Sequence, residues 1–339
     1  MIKNIFTYIK DFFKEEYKFI IFLILLFIIL EIPLNYYIIT GGGTSDVSSR
    51  IKVENKYNSK GSFNISFVEE LPGTISTVAL SYIIPNWERE SADNYKYTSD
   101  ESIQDIDFRS DLDLKTANGT ATYWAYKLAN KEAKEISSKV YVIIVFDGYK
   151  SGLKVQDEIL SIDENTFKTV KEYREYLQTK TENDTVSVKV LRDKKEKTIE
   201  SKLYKQEDGS IILGIGLQTV KEYETNPNLN IKFKRSESGP SGGLISTLEI
   251  YNQLTKKDLT KGYKIAGTGT IEEDGTVGEI GGVEHKILGA ESDKADYFLV
   301  PSGQNYKDAL KYKKSKKLKI KLIEVKTIED AIEKLENLK

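Results

Sequence analysis

The chain has no cysteine, one histidine, one methionine, two tryptophans and six prolines among its 339 residues. Without a thiol there is no disulfide, no cysteine nucleophile and no Cys-ligated zinc or iron–sulfur cluster. A single histidine, His285, cannot build a His-rich metal site or an HExxH pair. An excess of one charge is missing too: 50 Lys plus Arg against 52 Asp plus Glu leave −2. That balance gives no reason to expect nucleic acid, whose phosphate backbone calls for a plainly basic surface. No GxxxxGK[ST] run occurs, so no nucleotide-binding loop is legible. Chemistry therefore has to run on Ser, Thr, Lys, Tyr and carboxylates. A cysteine-free chain also tolerates an oxidising exterior.

At roughly 150 residues per domain, the length holds about two domains, and 39 % hydrophobic with 30 % charged residues suits a globular chain. The N-terminal part reads as a membrane anchor. Phe19 to Leu30 is a run of twelve uncharged, almost wholly apolar residues, too short alone for a hydrocarbon core of ~30 Å. Counting on to Ile39 gives 21 residues, with Glu31 near the far interface and Tyr36 and Tyr37 in the aromatic belt. The sequence thus predicts a cytoplasmic segment over 1–18 and a transmembrane helix over 19–39. Lys10, Lys14 and Lys18 before the span, against Arg50 and Lys52 after it, favour a cytoplasmic N-terminus. A cleaved signal peptide is the alternative; it lacks a small-residue cleavage site, and Asp11, Glu15 and Glu16 argue against it. Ahead of the span, Ile2, Ile5, Phe6, Ile9, Phe12 and Phe13 recur at helical spacing, which lays that segment on the membrane surface or extends the same helix.

Residues 40–137 begin with a flexible Gly/Ser-rich exit from Gly41 to Ser49. Gly61 to Val68 alternates with period two and reads as a strand. The acid-rich stretch 88–113 reads as a solvated loop or exposed helix, and Asn118 to Lys131 as a helix with Ala121, Trp124, Ala125 and Leu128 on one side.

From Val140 onward the pattern is regular α/β. Val140–Phe146 is an apolar strand, followed by a turn at Asp147–Gly148, the segment Ser151–Asp163, a helix carrying Val170, Tyr173 and Leu177, the alternating strand Thr185–Leu191, and a hairpin turn at 192–195. This order resembles a PDZ domain, and Gly152–Asp163 is similar to that family's GLxxGDxIxxxxG signature. Gln156 stands where a glycine is usual, and Glu164-Asn165 replace the turn glycine. The resemblance implies that a target peptide adds as a strand beside an exposed sheet edge; a packing module without a ligand is the other reading.

Ser236 to Leu254 is the most informative segment. Leu244, Leu248, Tyr251 and Leu254 recur at steps of three and four, so a helix begins near Gly242. Glycines ahead of it permit a tight turn, and Ser241 sits beside the open amides of the first helical turn, which suit a developing oxyanion. Taken alone, a plain serine N-cap is the favoured reading. Further on, Tyr263–Ile271 reads as a strand, Glu272–Gly275 as a hairpin turn, and Thr276–Ala290 leads into a helix bearing Lys286 between His285 and Ile287. A desolvated lysine near a helix N-terminus would lose its proton more easily, as a general base requires; taken singly it is one more surface lysine.

Together the two segments resemble the proteolytic domain of the Lon family, matching GPSAG at the serine and TGxI…IGGxxxK at the lysine. The resemblance implies that Ser241 is the nucleophile, Lys286 the general base, and Thr268 the hydroxyl that orients the lysine, with Gly239, Pro240 and Gly242 framing the serine. Gly242 replaces the usual alanine, and Ser238 an acidic residue often found before Gly-Pro-Ser. The whole order resembles the membrane-anchored, ATP-independent PDZ–Lon proteases of Gram-positive bacteria. It implies an α+β fold: a Lon-type proteolytic domain over 206–339 whose first elements lie within 40–137, interrupted by a PDZ-like domain at 138–205 and preceded by a single transmembrane helix. The implied function is a serine endopeptidase for peptide processing outside the cytoplasm, on a single-pass cell-membrane protein. It implies no cofactor, metal or nucleotide, and peptide or protein segments as partners. Lon proteolytic domains often form rings, which adds a homo-oligomer to the partners implied. Two other readings stand beside it: a catalytically silent membrane-tethered PDZ scaffold, and a Ser-His hydrolase in which Gly239–Gly243 is a G-x-S-x-G elbow and His285 the base.

Overall fold

The computed structural model describes residues 2–233 and 239–338, with side chains from Phe13 onward. Ser238 and the side chains of Ile2, Ile5, Phe6, Ile9 and Phe12 lie outside the described residues. In chain order the elements begin with α1 (Ile2–Leu30), β1 (Pro33–Asp46), β2 (Ile51–Val53), β3 (Ser62–Thr74), α2 (Ile75–Ser81), β4 (Glu88–Ser91) and α3 (Ile103–Leu128). β5 (Glu132–Val145), β6 (Glu158–Ile162), α4 (Val170–Leu177), β7 (Thr185–Arg192), β8 (Lys195–Lys202), β9 (Tyr204–Lys205), β10 (Ile211–Ile212), β11 (Ile215–Asn226) and β12 (Leu229–Ile231) follow. The last part holds α5 (Gly243–Leu254), β13 (Lys264–Gly267), β14 (Thr270–Ile271), β15 (Val277–Gly278), α6 (Val283–Ser292), β16 (Tyr297–Pro301), α7 (Gln304–Lys316), β17 (Lys321–Val325) and α8 (Ile328–Glu336). They fall into two compact units, residues 1–41 with 68–95, and residues 42–67 with 96–339.

The first unit corrects the helix bounds expected over 19–39. Its helix stops at Leu30, and Pro33 starts a strand in which Tyr36–Ile39 pairs antiparallel with Glu88–Ser91. Proline lacks an N–H and cannot carry a helix onward. Ile38 is fully buried, so the alternation of Tyr36–Ile39 belongs to a strand, not an aromatic belt. The apolar run Phe19–Leu30 covers only ~18 Å at ~1.5 Å per residue, and among the described residues no helix is long and apolar enough to cross a membrane.

The second unit gathers segments far apart in the chain. β3 pairs in parallel with β13, β13 with β16, and β16 with β17. Ile265, Tyr297 and Leu299 turn toward α3, α5 and α8, whereas Ala266, Phe298 and Val300 turn toward α6 and α7. Parallel strands covered on both faces read as nearly continuous apolar runs, as Tyr297–Pro301, buried throughout, does. α5 lies deepest, with all twelve of its residues buried. Its polar members are satisfied internally: Gln253 donates to Ile51 O and Glu249 Oε1, and Asn252 accepts from Leu259 N.

Between these segments stands an antiparallel sheet in the order β11–β5–β6–β7–β8, with a core of Val140, Val142, Ile159, Val186, Val188, Tyr173 and Leu177. The module expected over 138–205 extends further, because β11 pairs with β5 from Ile215↔Val145 to Asn226↔Glu132. Asp157, fully buried, receives both Arg192 Nε and Nη2 at 2.6 Å. Gln156 beside it has φ 78°, and Glu164 φ 67°. At both places where the signature's glycine is missing, the backbone keeps a conformation that favours glycine.

Candidate active site

Ser241 sits in a single 3₁₀ turn, Pro240–Gly242, that runs straight into α5. Gly239 before it has φ 119°, outside the reach of ordinary residues, and Pro240 fixes the first turn position. A methyl on Gly242 would come 2.8 Å from Ile65 Cδ1, so the glycine that departs from the family's alanine leaves room for that side chain.

The turn is clamped to the end of β13. Ser241 O accepts from Gly269 N at 2.8 Å and from Thr268 Oγ1 at 3.2 Å, while Leu244 N donates to Gly269 O at 3.0 Å. Thr268 itself is fully buried, with its N–H on Leu299 O at 3.1 Å. Two amides expected to stand open for an oxyanion are engaged: Gly243 N donates to Pro240 O, and Leu244 N to Gly269 O. A one-turn 3₁₀ start draws its own first amides inward.

Lys286 lies in the first turns of α6, which begins after Gly282 at φ 68°. It is 5 % exposed, and its Nζ donates to Thr268 Oγ1 at 3.3 Å. The Thr268 hydroxyl therefore touches both halves: it receives the lysine's N–H and gives its own hydrogen to the Ser241 carbonyl. The Ser241 hydroxyl makes no hydrogen bond among the described residues. In unliganded sites such catalytic bonds are often long and tighten when substrate arrives.

The elbow geometry is not found among the described residues. The strand upstream of Ser241 is the short β12, paired with β2 in a two-stranded ladder, rather than a strand of the main parallel sheet. His285 is buried next to Lys286, but no hydrogen bond links it to Ser241.

Several residues were not legible as part of the site. Ser66 Oγ donates to the Lys286 carbonyl at 2.8 Å, across 220 positions of sequence. Asn305 brackets Ile280, accepting from its N–H and donating to its carbonyl, and so holds the loop that leads into α6. Glu249, two helical turns beyond Ser241, is 3 % exposed. Burial pushes its carboxyl up to about 7, with the Gln253 amide opposing. Polar residues at inward positions of a strand or helix were the available signal.

Residues 127–203 match the PDZ domain family, and residues 235–337 match the Lon protease (S16) C-terminal proteolytic domain. No curated protein matches the chain. Among solved structures, the PDZ domain of an SdrC-like protein from Listeria monocytogenes is 32 % identical over 23 % of this chain and 85 % of that one, with TM-score 0.22. The corresponding domain from Listeria innocua is 29 % identical over 24 % and 93 %, with TM-score 0.23. A solution structure from Geobacillus thermodenitrificans is 28 % identical over 23 % and 94 %, with TM-score 0.21.

Proposed function

We propose that this PDZ–Lon-like protease, a serine-type peptidase by its matched proteolytic domain, cuts peptides and exposed protein segments without ATP through Ser241 and Lys286. The observation that carries the reading is the Thr268 hydroxyl, bonded at once to Lys286 Nζ and to the Ser241 backbone.

In the proposed reaction the uncharged Lys286 amine keeps one N–H on Thr268 and takes the Ser241 hydroxyl proton as Oγ adds to the substrate carbonyl carbon. The oxyanion falls to the amide of Ser241, ahead of those that the 3₁₀ turn and the end of β13 have engaged; such a donor is typically worth ~3–4 kcal/mol. The lysine returns its proton to the leaving nitrogen as the C–N bond breaks. It then takes a proton from water as the hydroxide attacks the acyl-serine, and gives that proton back to Ser241 Oγ on release.

The sequence supplies no nucleotide loop for an unfolding motor, so substrates enter already extended. α1 adds a place of action. Ile21 to Ile29 are consecutive and all exposed, which turns apolar groups to every side of the helix. That supports attachment to a lipid surface; the proposed place of the catalytic unit, outside the cytoplasm, comes from the resemblance to PDZ–Lon proteases alone. Added protease that cleaves the second unit on intact cells supports the outside location; cleavage only after lysis contradicts it. The function itself is tested with a disordered substrate such as casein: Ser241→Ala should abolish cleavage, and cleavage at the wild-type rate would end the proposal.

A further inference from the structure

β11 ends the antiparallel sheet, where among the described residues it pairs with β5 alone. Its outer edge, with α4 alongside (Val170 N to Thr219 Oγ1, 3.0 Å), has the form in which an extended peptide adds to a sheet. Here that edge is not open. Helix α3 runs along it. Thr116 Oγ1 donates to Thr219 O at 3.4 Å. A methyl on Gly119 would fall 2.6 Å from Lys221 O, so only glycine lets the helix backbone touch the strand there. Carbonyls two residues apart on a strand point the same way, so Thr219 and Lys221 both face α3. Gln218 Nε2 adds bonds to Asp113 Oδ1 at 3.1 Å and Thr116 Oγ1 at 3.0 Å, and the Tyr123 and Tyr223 rings meet at 6.0 Å.

The same helix braces the catalytic turn. Ala121, Trp124 and Ala125 share a core with Leu244 and Leu248 of α5, and α3 packs on Pro240–Gly242 itself. The cover is imperfect. Gln218 Oε1 is buried without a hydrogen-bond partner among the described residues, and burial pushes the Asp113 carboxyl up, with Gln218 and Arg109 opposing. Water would relieve both if α3 moved away.

We propose that α3 is a removable cover on the peptide-docking edge of β11. An extended peptide that docks there displaces Thr116 and Gly119 and, through α3, shifts the turn that carries Ser241. Only this last link rests on the proposed role of Ser241.

Hydrogen–deuterium exchange of the full chain tests the cover without reference to catalysis. Gly119→Val should speed exchange over 217–223 about tenfold while β7 and β8 keep their wild-type rates, because opening is local. Unchanged exchange over 217–223 would overturn the proposal. Should β7 and β8 loosen as well, a second variant decides: Asp113→Cys with Gln218→Cys, in a chain with no other cysteine, bridged by a short bismaleimide. Bridging should slow exchange over 217–223 about tenfold; no slowing overturns the cover. Phosphonylation of Ser241 by a fluorophosphonate, with loss of fluoride, should differ about threefold between bridged and unbridged protein, and equal rates overturn the coupling. A wild-type chain that is not phosphonylated at all would sink the role of Ser241 and leave the exchange result standing.

Discussion

Lys286 Nζ donates to Thr268 Oγ1 at 3.3 Å, and both side chains are buried, at 5 % and 0 % exposure. That hydroxyl also donates to the Ser241 carbonyl at 3.2 Å. Valine keeps the shape of threonine and removes the hydroxyl. Thr268→Val should lower kcat by about 10- to 100-fold with KM little changed, since it disturbs groups acting in the transition state. Thr268→Ser should restore most of the rate. Steady-state kinetics on a fluorogenic peptide separates the two parameters; a change confined to KM would contradict the assignment.

Lys286→Arg retains a positive side chain that does not release its proton in proteins. Activity should fall to background at every pH where the fold persists. His285→Ala should cleave within about threefold of wild type, because a neighbour outside the reacting groups changes geometry only slightly. The reverse order, with His285 essential and Lys286 replaceable, would favour a Ser-His hydrolase.

Glu249 predicts a pH dependence of stability. Its carboxyl is raised from 4.5 to about 7 in the fold. Between those values the folded chain holds more protons than the unfolded one, so stability declines as pH rises through the window and levels off above about 7. The full difference amounts to about 3 kcal/mol. Glu249→Gln should flatten the decline between pH 5 and 8, as read by urea melts at each pH. An equal slope in the variant would contradict the burial of an ionisable carboxyl there.

Gln156 is exposed and sits at φ 78°, a conformation that costs a side chain about 1–2 kcal/mol. Gln156→Gly should therefore stabilise the PDZ domain by about 1 kcal/mol, and Glu164→Gly, at φ 67°, by a similar amount. Thermal melts of the two variants check this; a lower melting temperature in both would contradict it.

These cases show where sequence was a good guide. The helix expected near Gly242 begins at Gly243, because its glycines and its three- and four-residue apolar steps are local signals. The strand expected over Tyr263–Ile271 breaks into β13 and β14 at Thr268–Gly269, where Gly269 has φ 147°. This break is what brings Thr268 against the serine turn. The first half of α3 was hidden because its buried face includes Arg109, which pairs with Glu101 and stacks on Tyr97 at 4.0 Å, instead of an apolar stripe. Its start was nonetheless written in Ser102 and Asp105, which form a capping box. Ser66 could not be found from the chain alone, since its link to Lys286 is purely tertiary. The helix expected to reach Ile39 ends at Leu30 for a different reason: hydropathy ran through Pro33 as if backbone hydrogen bonding did not matter.

In the proposed mechanism Ser241 attacks the substrate carbonyl and becomes acylated because Lys286 removes its proton. Intact-mass and peptide mapping of the full chain after exposure to a fluorophosphonate tests it most directly. The account predicts one adduct, on Ser241, in the wild type, and its loss in Lys286→Ala. An adduct on another residue, or undiminished labelling of Ser241 in Lys286→Ala, would contradict it.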